Sequence, residues 1–218
     1  MTMDAHYEKQ EPTTTQPAAP ALPTELWLQI LEQADTYDLW ANVRLTSRAF
    51  KDYVERIFIS THLPGLSNSF ALPRRDPVTG ALKWRGEAIP RAQIIFSFDK
   101  VAADARYVVL KSPESLGRGE EKKSVDELRR TAVLPKERLQ EAPQWVKIDR
   151  NPMTGFSMAA VGRFDWDEER KIWTWEVSWM KLLTQFYQLR GEARLKRGSR
   201  LDRGSGETWT RRAGRRDL

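Results

Sequence analysis

Cysteine is absent from this 218-residue chain, which excludes disulfides, a thiolate zinc site and a cysteine nucleophile. Histidine is nearly absent. His6 lies in the N-terminal leader and His62 follows the third predicted helix, so an imidazole-based triad has only His62 to draw on. No nucleophile elbow accompanies it, and a lone surface histidine is the expectation. No apolar run approaches the roughly 20 residues that cross a bilayer. The opening MTMDAHYEKQ lacks the apolar core of a secretory signal. A cytoplasmic or nuclear address without membrane attachment is expected. Repeats of the WD, kelch or leucine-rich kind are also missing.

Apolar residues make up 40% of the chain and charged residues 30%, with a mean hydropathy of -0.63, a composition that buries a real core and stays in water. The net charge of +6 is local. From residue 190 onward ten Lys or Arg face four Asp or Glu, and the remainder holds 26 of each sign. The basic pI therefore belongs to the C-terminal tail, where a solvated end is the default reading.

Residues 1–21, with TTTQPAAPALP, have no bulky apolar periodicity and read as a disordered tail. Residues 22–60 predict three short helices. In the first, Leu26, Ile30, Leu31 and Ala34 keep helical spacing behind Pro23, with Glu25 in the first turn. The second covers about 37–45 with Leu39, Trp40 and Val43 apolar. The third is capped by Ser47 and carries Phe50, Tyr53, Val54, Ile57 and Phe58 on one face.

From about residue 68 the period changes to that of strands. RDPVTG and RNPMTG mark turns. AQIIFSF with ARYVVLK predicts one hairpin, and FSMAAVGRF with KIWTWEVSW a second. Residues 112–143 read as a polar linker holding one short helix, opened by Ser124 and Glu127 as a capping box. Trp179, Leu182, Leu183, Phe186 and Leu189 predict a C-terminal helix, and 191–218 a disordered basic tail. The expected fold is α+β: three helices, then a small antiparallel domain over 68–190 with a closing helix.

Chemistry-bearing motifs are thin. GRGEEKKS ends like a phosphate loop, but Lys122 stands where glycine is needed, and Glu120 and Glu121 repel phosphate. DWDEERKIWTWE spaces Asp165, Asp167, Glu169 and Glu176 like a calcium loop. Arg170 replaces its turn glycine, so a solvated hairpin turn is the simpler reading. Trp173, Trp175, Val177 and Trp179 share one strand face. That face is a core, or, with the basic tail, a platform for single-stranded nucleic acid. Without interleaved Lys or Arg, core is the expectation. No catalytic group, cofactor or metal is expected.

Residues 22–60 resemble an F-box. The family opens with Leu-Pro-x-Glu-Leu and continues to Ile-Leu, matched by Leu22, Pro23, Glu25, Leu26, Ile30 and Leu31. Asp38 and Leu39 match the start of its second helix, and Ser47, Arg48 and Phe50 its closing string. Ala34 and Thr46 depart, each where the family prefers a larger apolar residue. The resemblance implies a substrate-recruiting subunit without chemistry of its own. Such a subunit docks the adaptor Skp1 and, through it, a cullin and RING scaffold that ubiquitinates a bound protein substrate. It assigns Leu22, Pro23, Leu26, Ile30, Leu31 and Leu39 to the adaptor contact or to its support. The alternative, nucleic-acid binding through the Trp face and basic tail, predicts salt-dependent binding.

Overall fold

The computed structural model describes residues 22–76, 78–84, 89–117, 122–148, 156–158 and 162–210. The expected N-terminal tail (1–21), the RNPMTG turn and the end of the basic tail (211–218) lie outside the described residues.

The three predicted helices form. Pro23 precedes α1 (Thr24–Leu31), and its carbonyl accepts the Leu26 and Trp27 N–H groups at 3.1 and 3.2 Å. Asp35 caps α2 (Thr36–Ala41) by accepting the Tyr37 N–H at 2.9 Å. This helix stops earlier than its apolar pattern predicts. Asn42 turns its amide back onto Asp38, and Val43–Leu45 winds as a 3₁₀ turn. Ser47 caps α3 (Arg48–Ile57) through the Phe50 N–H at 3.2 Å, as its position predicts. A π-helical turn, Phe58–His62, then leads to the sheet, with the His62 ring 4.7 Å from that of Phe58.

The β region is one seven-stranded antiparallel sheet. In chain order its strands are β1 (Ser67–Ala71), β2 (Gln93–Val101), β3 (Tyr107–Lys111), β6 (Gln144–Lys147), β7 (Phe156–Met158), β8 (Arg163–Asp167) and β9 (Ile172–Ser178). A two-residue ribbon, β4 (Ser115–Leu116) with β5 (Lys123–Ser124), sits apart. Across the sheet the order is β7-β6-β1-β2-β3-β9-β8. The predicted hairpins β2–β3 and β8–β9 are both present.

Segment 156–164 behaves differently from its prediction as one strand. It divides into β7 and β8, which occupy opposite edges of the sheet. Laid flat, seven strands put those edges about 29 Å apart. Only four residues separate Met158 from Arg163, and that length of chain reaches at most about 18 Å. The sheet therefore curls upon itself. Side chains from distant strands meet inside it: Phe164 of β8 lies 5.3 Å from Phe70 of β1 and 5.7 Å from Phe96 of β2, and Trp175 of β9 lies 5.4 Å from Phe70. Gly162 has φ +138°, and a Cβ there would lie 2.4 Å from the Trp175 indole nitrogen, so the entry to β8 needs glycine.

Two further expectations are corrected. Residues 112–143 are not a polar linker. They form α4 (Val125–Arg130), capped by Ser124 through the Asp126 N–H, and α5 (Lys136–Glu141). Val125, Leu128, Val133, Leu134 and Leu139 are buried against the sheet. A few anchors per turn suffice, too sparse to show as periodicity. The C-terminal helix α6 runs from Trp179 to Thr210 and does not end at Gly191. A Cβ on Gly191 would meet the Tyr37 hydroxyl at 2.7 Å, so this glycine permits a close crossing rather than ending the helix.

Candidate functional site

The helical unit is welded to the β domain along one side. Trp40 of α2 is buried, with rings of Phe58, Trp179 and Tyr187 between 4.9 and 6.3 Å away. Its indole N–H donates to Thr184 Oγ1 at 3.3 Å. Arg44 lies 4.4 Å over the Trp40 ring and pairs with Glu55 at 2.7 Å. At the α1–α2 corner, Asp35 meets Arg190 and Arg194 of α6 at 3.6 and 3.7 Å, and Arg194 also covers the Tyr37 ring at 4.6 Å.

α1 packs inward on α3. Trp27 meets Phe50 edge-on at 5.0 Å, and the Thr24 and Tyr53 hydroxyls are 3.4 Å apart. Leu28 and Leu31 join this inner side, with Leu31 buried. One stripe is then complete, which is all that a helix covering its own core requires.

A second stripe remains. Leu22, Leu26 and Ile30 recur every four residues and are 45%, 43% and 52% exposed, with Pro23 exposed beside them. The structure thus divides the six residues assigned to the contact. Leu22, Pro23, Leu26 and Ile30 form a free apolar face. Leu31 and Leu39 are buried and can act only by holding that face in place. Leu45, 74% exposed on the 3₁₀ turn, is a further free aliphatic in this unit that the sequence reading did not single out. The sequence predicts a second helix running to about residue 45, but α2 ends at Ala41 and leaves Leu45 on the turn that follows.

The other candidates fall to structural roles. Trp173, Trp175 and Trp179 are all buried, so the Trp stripe is core and presents no stacking face. The acids of the β8–β9 turn are engaged locally: Asp167 accepts the Glu169 and Arg170 N–H groups, and Glu168 pairs with Lys171. Among the described residues no helix is long and apolar enough to cross a membrane, and no group of three acids or histidines is placed to hold a metal. No family model, curated protein or solved structure matches the chain.

Proposed function

We propose that the chain is a substrate-recruiting F-box subunit of a Skp1–cullin–RING ubiquitin ligase, docking the adaptor through Leu22, Pro23, Leu26 and Ile30. The observation that carries this reading is the second apolar stripe of α1, left uncovered although the inner stripe already satisfies the fold. Covering the exposed halves of three aliphatic side chains is worth about 1 kcal/mol each, the scale on which a docking patch operates. In this reading the protein performs no chemistry, and works in the cytoplasm or nucleus where the ligase assembles. The curled sheet is the part left to hold a substrate. The nucleic-acid alternative finds less support, because the Trp face it needs lies inside the core.

Co-purification with a Skp1-type adaptor tests the proposal. Wild type should retain the adaptor, and Leu22→Ala with Pro23→Ala should lose most of it while keeping the wild-type melting temperature. Undiminished capture by the double variant would refute the site, and no capture by wild type would refute the function.

A further inference from the structure

A second feature lies away from α1, where the chain leaving β1 passes α5. A cavity of about 130 Å³ opens there between Leu72, Pro73, Trp84 and Pro143, and Arg138 reaches it from α5. Arg138 is only 2% exposed. Its guanidinium donates to the Val133 carbonyl at 2.6 Å and to those of Leu72 and Pro73 at 2.6 and 3.3 Å, which fixes its plane. Its Nε–H is buried with no acceptor. Among the described residues Arg138 has no ion pair. The nearby Arg74 also buries an Nε–H without an acceptor. Burial, and then the like charge of Arg74, push the Arg138 guanidinium below its ordinary value.

Two guanidiniums near each other, with no counter-ion among the described residues, are costly in a desolvated site, and a further anion is the simplest resolution. The acids at the rim do not supply it. Glu141 is paired with Lys83, and Asp76 accepts the Val78 and Thr79 N–H groups at 2.9 and 2.8 Å. The small volume and apolar walls suit a planar carboxylate on a short stem. A phosphate dianion brings more acceptor oxygens than the two N–H groups that Arg138 has left, and meets the Glu141 and Asp76 charges on entry.

The surroundings favour a peptide as the carrier. Ala71 lines the cavity and shares its outward sheet face with Ser69, which lies in register between Ile95 and Trp145. Both are large and exposed, at 49% and 41%. A chain anchored in the cavity has apolar surface to lie on one residue pair away.

We propose that this cavity binds a carboxylate of a partner protein, a chain terminus or an acidic side chain, through the Arg138 Nε–H with Trp84 against the stem. The site is independent of the α1 stripe, so adaptor docking can fail without affecting it. The test follows the Arg138 Nε–H resonance of the isotope-labelled full chain, assigned through its proximity to Leu72 and Val133. The additions are N-acetylglycine, N-acetylglutamate N-methylamide and inorganic phosphate. A saturable shift with one of the carboxylates, and none with phosphate, is expected, and the responding compound identifies terminus or side chain. Trp84→Ala should weaken that binding about tenfold. Absence of a saturable shift with either carboxylate, an equal response to phosphate, or unchanged affinity in Trp84→Ala would overturn the proposal.

Discussion

α1 and α2 are consecutive, short and similarly apolar, yet they finish in different surroundings. α2 gives Leu39 and Trp40 to the interior, where α6 and the π-helical turn close over them. α1 gives Trp27, Leu28 and Leu31 to α3 and leaves Leu22, Leu26 and Ile30 uncovered. Composition does not separate the two helices; only the presence of α6 on one side does. The apolar surface of α2 is spent on folding, and the outer stripe of α1 is not. That contrast makes the stripe a candidate contact and not merely a scatter of exposed leucines.

Substitutions can break the contrast at either end. Trp40→Ala should have the largest effect, about 3–5 kcal/mol by chemical denaturation, because it empties a ring-lined site between α2, α6 and Phe58. Asp99→Asn, within the sheet, gives a smaller loss that depends on pH. The β-bulge between Phe98 and Lys100 aims Asp99 at Lys111 and at Arg170 of the β8–β9 turn, at 2.9 and 3.3 Å. The Lys111 hydrogen bond above all holds its carboxyl below the usual 3.8. A depressed folded value means that this stabilisation is present above pH 3.8 and disappears as pH falls through the folded value. The gap between wild type and variant should be about 1 kcal/mol at pH 7 and should close in strong acid, followed by melts across that range. Arg190→Ala, which loosens the α6 clamp at Asp35, should cost about 0.5 kcal/mol. Leu26→Ala should lie within about 0.5 kcal/mol of wild type, since that side chain is 43% exposed and outside the buried core. A Leu26 variant as damaging as Trp40→Ala would erase the distinction between the two helices.

Much of this was legible in the residues. Ser47 caps where its spacing from the following apolar series places it, Ser124 caps its helix although through the Asp126 N–H and not in the expected box with Glu127, and the period-two Trp series in β9 is core, as a strand face without interleaved cations implies. The excess of apolar residues in LPTELWLQIL was also visible, although only the structure shows which stripe α3 consumes. The curl of the sheet was not legible. FSMAAVGRF reads as one apolar strand, and its division between opposite edges depends on closure, a property of the whole sheet. Arg138 was equally hidden, because in KERLQE it resembles any exposed helix arginine. Its burial follows from the carbonyls that Leu72 and Val133 bring to it across the fold. Gly191 misled for a related reason: a glycine at a crossing and a glycine at a helix end look alike in sequence.

The central claim is that the outer stripe of α1 serves a partner and not the fold. Leu26→Glu places a charge on that stripe at a residue 43% exposed and outside the buried core, so its melting temperature and its affinity for a purified Skp1-type adaptor should be measured together on the full chain. The account predicts an unchanged melt and at least a hundredfold loss of adaptor affinity. Wild-type affinity in a normally folded Leu26→Glu protein would contradict it.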